Sequence, residues 1–302
     1  MALLDLGSNA ARFLLVKIRP GKGYEILDER RIQTRLGGDR HGRLPGPAVR
    51  KTLRAAHAFL EPVRRRHAAR VIALATAAVR DADNADSLLI PLGRGYRLDL
   101  RVLSGREEAR LGARAVLACM PMAAGVVFDL GGGSLQITRI RAGEPLKAVS
   151  LPLGALRASM RFFRHDPPTT AELRALRREV RDLVSGLLPS ADKGDVLVGL
   201  GGTVRNLARI RRAARGRGKG LRTTVLARAD IVTIRERLEA MSLRRRRRVE
   251  GLKSDRADII VAGVVIVEEL MALGNYQHLV VCAHGVRHGV LVEETFGPMV
   301  SV

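Results

Sequence analysis

Tryptophan is absent from the 302 residues, and aromatic residues make up only 3% of them. So few rings argue against a single-strand nucleic-acid binder, which stacks bases on aromatic side chains. The cores must instead be assembled from Leu, Val, Ile and Ala. Cysteine is almost absent: Cys119 and Cys282 are the pair. Each lies in an apolar neighbourhood, which excludes a disulfide-framed scaffold and predicts two reduced core residues of a cytoplasmic protein. Long apolar runs are missing as well. The longest, 259–267, has nine residues, about half of what a bilayer-spanning helix needs. Asp5 and Arg12 interrupt the first apolar stretch, so no secretory leader is expected. A membrane partner is not expected either.

Acidic residues are also in short supply, 30 against 53 basic ones, for a net charge of +23. A field of that sign draws in polyanions, with nucleic acid only as a non-specific partner. A surface uniformly enriched in arginine would give the same total, so local clusters are more telling than the sum. Apolar residues at 46% are ample for folding. A chain of this length is expected to divide into two domains.

What is there centres on Asp129. The run Val126-Val127-Phe128 ends in Asp129, Leu130, the glycines Gly131, Gly132 and Gly133, and Ser134, and a second run then begins. Glycines let a backbone turn sharply and bring its amides close to an anion. Seen alone, a β-hairpin with a glycine turn reads equally well. The same layout recurs near the start, where a strand ends at Asp5 and Gly7-Ser8-Asn9 precede Phe13-Leu-Leu-Val-Lys-Ile18. Two hairpins 124 positions apart form a domain-scale internal repeat. A third glycine turn, Gly201-Gly202-Thr203, follows an apolar run at 195–200.

Apolar spacing predicts helices over 48–66, 106–119, 171–188, 228–241, 257–273 and 286–296. Strands are expected at 71–75, 98–103, 148–153 and 279–283. Ser104 reads as an N-cap, with Glu107 and Glu108 in the first turn. The alternation predicts an α/β protein of two domains, 1–122 and 123–302, whose final helix packs back on the first domain. The site is expected in the cleft between them, at the turn ends of the strands.

Taken together, the segments resemble the exopolyphosphatase and guanosine pentaphosphate phosphohydrolase (Ppx/GppA) family of the actin-like ATPase superfamily. The matching stretches are Asp5-Leu-Gly-Ser-Asn9, the run from Ala75 through Arg80 to Asn84, Ser104-Gly-Arg-Glu-Glu-Ala-Arg110 and Asp129-Leu-Gly-Gly-Gly-Ser134. Leu153-Gly-Ala-Leu156, Gly199-Leu-Gly-Gly-Thr203 and Arg256-Ala-Asp-Ile-Ile-Val-Ala-Gly263 follow in the same order. The resemblance implies two actin-like (ribonuclease H-like) domains with mixed sheets flanked by helices. It implies phosphate loops at Asp5, Gly7, Ser8 and Asn9, at Gly131, Gly132, Gly133 and Ser134, and at Gly201, Gly202 and Thr203, with Arg80 as a further donor. It puts the catalytic base at Glu107, whose bare alternative is a first-turn carboxylate that only complements the helix dipole. A divalent cation, Mg²⁺, would be held by Asp129 with Glu107, and a homodimer is what the resemblance suggests.

One position departs from the pattern. The family has Glu two residues after the Ser of the Asp129 loop, where this chain has Gln136, an amide that can hydrogen-bond but not act as a base. The ordered motifs and the net charge of +23 still make hydrolysis of terminal phosphoanhydride bonds of inorganic polyphosphate the expected activity that the resemblance implies. Guanosine pentaphosphate is the near alternative substrate, and a non-hydrolysing binder is the alternative that Gln136 raises. Basic residues at 209–222, among them Arg209, Arg211, Arg212, Arg215, Arg217 and Lys219, read as a loop that binds the polyanion through counterion release. Five consecutive arginines, 244–248, fit either that role or a solvated surface. His284 and His288 stand at i, i+4 spacing, with no third metal ligand evident.

Overall fold

The computed structural model describes residues 1–19, 21–37, 42–95, 98–216 and 224–297. Fully buried apolar residues in the first strands set the architecture. β1 (Ala2–Leu6) and β2 (Ala10–Arg19) pair antiparallel across the Gly7-Ser8-Asn9 turn, and β3 (Gly23–Gln33) adds to the outside of β2. Helix α1 (Gly46–Arg65) buries Val49, Ala56, Phe59, Leu60 and Val63 on one face. It returns the chain to β4 (Val71–Ala75), which runs parallel to β1. Helices α2 (Ala77–Arg80) and α3 (Asp86–Gly95) precede β5 (Asp99–Val102), parallel to β4. The sheet order is β3-β2-β1-β4-β5, and α4 (Gly105–Cys119) leaves it.

The second half rebuilds this sheet. β6 (Ala124–Leu130), β7 (Leu135–Arg141) and β8 (Glu144–Leu151) form an antiparallel meander. Helices α5 (Ala155–Phe162) and α6 (Thr170–Val184) lead to β9 (Val196–Leu200), parallel to β6. Then come α7 (Gly201–Ala214), β10 (Thr224–Ala227), α8 (Arg228–Glu239), α9 (Leu243–Arg246) and α10 (Ile260–Leu273). β11 (His278–Val281) and α11 (Val286–Phe296) close the described chain. The order is β10-β11-β9-β6-β7-β8. Read from its other edge, β8-β7-β6-β9-β11 reproduces β3-β2-β1-β4-β5, with β10 added antiparallel to β11. The hairpin repeat at Asp5 and Asp129 is thus the visible part of a repeat of whole sheets.

The helices that follow each sheet are exchanged. α4 lays Ala113 and Val116 against Val127, Ile140, Val198 and Leu200 of the second sheet. α11 lays Val290 and Leu291 against Leu3, Leu14, Ile72 and Leu74 of the first, joined there by Leu111 of α4. Each sheet therefore has one face closed by a helix from the other half, which brings the turn ends of β1, β6 and β9 to one cleft.

Three details differ from the sequence reading. The basic stretch at 209–222 is not a loop throughout: Arg209, Arg211 and Arg212 continue α7, because Leu207, Ala208 and Ile210 remain on its buried face. Residues 217–223, including Arg217 and Lys219, lie outside the described residues. α5 and β10 were not foreseen, being only eight and four residues long, too short for a period to register. Cys119 is exposed rather than a core residue. Among the described residues no helix is long and apolar enough to cross a membrane.

The exchanged packing makes a direct prediction. Leu291 is 0% exposed, and truncating such a side chain leaves a cavity worth about 2–5 kcal/mol. Leu291→Ala is expected to lower the thermal midpoint by several degrees, measured by circular dichroism. An unchanged midpoint would mean that α11 does not help to hold the first sheet.

Candidate active site

Two hairpin turns face each other across the cleft, and each is supported in the same way. After β3, the amides of Thr34 and Arg35 donate to the Asn9 carbonyl, and that of Gly37 donates to the Ser8 carbonyl. After β8, the first turn of α5 does the equivalent: Ala155 donates to Gly131, and Leu156 and Arg157 donate to Gly132. With these carbonyls taken, and the Gly131 amide donating to the Ser134 carbonyl at 3.0 Å, the remaining amides of the two turns are the backbone groups left for a ligand. A glycine makes each approach possible. A Cβ on Gly154 would sit 2.3 Å from the Gly132 carbonyl carbon, and one on Gly37 would sit 2.9 Å from Ser8 Cβ. The Asn9 side-chain oxygen and nitrogen are both buried and without a protein partner. Polar atoms in that state cost free energy unless a ligand or water satisfies them.

The carboxylate at the back of the cleft is Glu108, not Glu107. Ser104 caps α4 in a complete capping box: the Glu107 amide donates to Ser104 Oγ at 3.2 Å, and the Ser104 amide donates to Glu107 Oε2 at 2.7 Å. These bonds hold Glu107 on the exposed side and lower its pKa. One step of 100° around the helix turns Glu108 inward, where it is 4% exposed. Arg80 Nη1 donates to Glu108 Oε1 at 2.6 Å and to the Leu103 carbonyl at 2.9 Å. Gln136 Nε2 donates to Glu108 Oε2 at 2.8 Å, and also lies 2.8 Å from Ser134 Oγ and 3.1 Å from Ser150 Oγ. Burial pushes Glu108 up from 4.5 to about 7, with Arg80 opposing and Asp129 and Asp5 adding to the rise. A carboxyl near 7 is tuned for proton transfer at neutral pH.

Positive charge surrounds these acids. Arg12, Arg205, Arg256 and Arg287 line the cleft together with Asp5, Glu108 and Asp129. Arg12 donates to Asp5 Oδ2 at 3.4 Å, and Arg287 reaches Glu29 at 3.0 Å. Desolvation and neighbouring guanidinium charge lower Arg205 to about 10 and Arg256 to about 9. Such crowding is relieved when an anion enters. Gly202 makes room for Arg256, since a Cβ there would lie 2.0 Å from the guanidinium carbon. Burial raises Asp129, opposed by Arg12 and Arg205 and reinforced by Asp5. The carboxylates of Asp5, Asp129 and Glu108 thus share one space. Hard oxygen donors under mutual repulsion are the donor set that suits a divalent cation.

The cleft brings together Asp5, Gly7, Ser8, Asn9, Asp129, Gly131, Gly132, Gly133, Ser134, Gln136, Gly201 and Gly202, within about 800 Å³ partly open to solvent. It does not bring in Glu107. Nor does it bring in Thr203, whose hydroxyl packs toward Gly263 of α10. Arg80 stands behind Glu108 rather than in the cleft. Arg211 is paired with Asp230 at 2.6 Å, and Arg246 of the five-arginine run is buried and paired with Asp166. Sequence reading missed Arg12, Arg205, Arg287 and His288 as cleft residues. It had met Arg256 only as part of a matching segment, and Glu108 only as a helix-start acid.

Comparison with known proteins bears on what such a cleft is for. The Ppx/GppA phosphatase family profile matches residues 14–296. The chain belongs to this family. Exopolyphosphatase 1 of Mycobacterium leprae is 30% identical over 305 residues, covering 97% of this chain and 89% of that protein. The crystal structure of the Aquifex aeolicus Ppx/GppA family member is 28% identical, with a TM-score of 0.80 over 97% of this chain and 96% of that one. An exopolyphosphatase structure from Cytophaga hutchinsonii superimposes with a TM-score of 0.90 at 24% identity, over 97% of both chains. The expected Ppx/GppA membership and the actin-like α/β fold are borne out, and the chain is a phosphohydrolase by family.

The two adjacent glutamates predict opposite behaviour in this family member. Below about pH 4.5 Glu108 is protonated folded or unfolded. Between 4.5 and about 7 only the folded state keeps the proton, so this residue's contribution to stability falls as pH rises through that window. Glu108→Gln removes the buried charge, so its thermal midpoint relative to the parent protein should be more favourable at pH 8 than at pH 5. Glu107→Ala breaks the capping box and should cost about 1 kcal/mol or less. Scanning calorimetry at both pH values checks this. A Glu107 variant with the stronger pH dependence would reverse the assignment.

Proposed function

We propose that this chain is an exopolyphosphatase that removes the terminal phosphate of inorganic polyphosphate, with Glu108 as the base. The observation that carries this reading is the buried Glu108 carboxyl, poised at about 7 and oriented by Gln136 and Arg80. It stands where two glycine loops and four arginines converge. Loop amides, Ser8 and Ser134 would hold the equatorial oxygens of the terminal phosphate, as phosphoryl transfer requires. Glu108 would take a proton from the attacking water as its oxygen bonds to phosphorus and the bridging P–O bond breaks. The shortened chain leaves as an anion facing the guanidinium groups. Asp5 and Asp129, with Glu108 nearby, would hold Mg²⁺, which when bound would offset phosphate charge.

Two further features favour polyphosphate over a guanine nucleotide. Arg205 and Arg209 stand one turn apart on α7, and Arg31, Lys253 and Arg256 are near enough to interact electrostatically with them or with one another, with Asp255 offsetting part of that charge. Such a cluster beside the cleft suits a ligand with a charge on every repeat. Among the described residues, none of those lining the cleft is Phe, Tyr or Trp, so the large rings that commonly stack on a base are missing from it.

Gln136 acquires a role of its own. A glutamate there would place a second carboxylate against Glu108 at hydrogen-bond distance, and the pair would need a shared proton or a cation between them. The amide donates instead, so Glu108 can ionise without that cation. This favours hydrolysis over the non-hydrolysing alternative.

Phosphate release from long-chain polyphosphate with Mg²⁺ is the test. Glu108→Gln should reduce kcat by roughly 10²–10⁴-fold, while Glu107→Ala leaves it nearly unchanged. The kcat of the parent protein should rise with pH through about 7, as Glu108 loses its proton. Gln136→Glu should move that midpoint upward and steepen the dependence on Mg²⁺. Loss of activity in Glu107→Ala with retention in Glu108→Gln would overturn the mechanism. No release by any form would overturn the exopolyphosphatase reading.

A further inference from the structure

The two cysteines lie 163 positions apart in sequence, yet their sulfurs are 3.6 Å apart. Cys119 is the last residue of α4 and is exposed. Cys282 follows β11 and is buried, its amide donating to the Gly199 carbonyl at 3.1 Å. His284 completes a cluster in which the two sulfurs and one ring nitrogen all lie within 4.8 Å of one another. This supplies the ligands missing from the sequence reading of His284 and His288, whose ring centroids are 4.4 Å apart. His288 itself is engaged differently, accepting a bond from the Gly285 amide at Nδ1, at 3.3 Å.

We propose that Cys119, Cys282 and His284 form a zinc site that fastens the end of α4 to the loop between β11 and α11. A tetrahedral ion with zinc–sulfur bonds of about 2.3 Å separates its two sulfurs by about 3.8 Å, close to the spacing present here before any metal is bound. A disulfide would need the sulfurs to close to about 2.05 Å and would leave the converging imidazole unused. Two sulfurs and one nitrogen select Zn²⁺ over Mg²⁺, which prefers oxygen. The exposed edge at Cys119 gives the ion a way in, and a water can fill the fourth position.

The loop so fastened and the first turn of α11 are part of the cleft: Ala283 and Gly285 of the loop and Val286, Arg287 and His288 of the helix all line it. The Ala283 carbonyl accepts from Arg205 Nη1 at 3.0 Å, and Arg287 lies 4.0 Å from Asp5. A bound ion would therefore restrain two of the cleft arginines without touching the reacting groups. The site stands independently of the polyphosphate reading.

Titration of the full-length, reduced protein with Co²⁺ tests the proposal, because thiolate ligation produces a charge-transfer absorption that oxygen sites do not. One Co²⁺ per chain is expected to give that absorption together with the strong visible bands of a four-coordinate ion, and one equivalent of Zn²⁺ should displace it. Cys119→Ser, at an exposed position that leaves the core intact, and His284→Ala should each weaken binding by about tenfold or more. Absence of the thiolate band, or the same band in the Cys119→Ser, Cys282→Ser double variant, would overturn the site.

Discussion

The structure turns on one buried carboxylate. Glu108 sits almost without solvent between a guanidinium and an amide, and the bonds from Arg80 and Gln136 offset the cost of burying it. An ionised carboxylate in that setting is costly unless it is paired and hydrogen-bonded. The partners arrive from distant parts of the chain: Arg80 from the end of α2, Gln136 from β7, Glu108 from α4. The two domains must therefore be registered against each other for the acid to be held at all. Packing of α4 against the second sheet and of α11 against the first provides that registration.

The same economy appears in the loops. A glycine-rich turn offers amides to an anion only if its carbonyls are satisfied elsewhere. Here both turns are satisfied by the segment that follows the third strand of their own sheet, 34–37 in one half and the start of α5 in the other. Gly37 and Gly154 occupy equivalent places because the backbone passes too close for a side chain. The repeat thus reaches the cleft: each half brings one supported turn and one hairpin aspartate, Asp5 or Asp129, and the first half adds Glu108.

Much of this was legible in the sequence. Both Asp-x-Gly hairpins, the Gly201 turn, the bounds of β4 and α11, and the alternation that gives two α/β sheets follow from pattern and turn chemistry. The sequence held a sign that Glu107 would point away from the cleft. Ser104-Gly-Arg-Glu107 is a capping-box signature, which commits Glu107 to the helix end and leaves Glu108 to turn inward. The cleft arginines carried no such signal. Arg12, Arg205, Arg256 and Arg287 are isolated in sequence and converge only through the fold, whereas the eye-catching run at 244–248 puts one arginine in a buried pair and four at the surface. Charge density along a chain is a poor guide to charge density in space. The Cys119–Cys282–His284 cluster was hidden for the same reason: its members are joined by the exchange of helices, not by spacing.

The most direct test of the account is a crystal structure of the Glu108→Gln protein with tripolyphosphate and Mg²⁺. The account predicts the terminal phosphate between the turns at Ser8 and Gly133. The residue 108 amide should lie within one water molecule of its phosphorus, and the remaining phosphates should run toward Arg205 and Arg256. A tripolyphosphate held on the arginines at 244–248, or a terminal phosphate in the cleft with its nearest acid at Glu107, would contradict it.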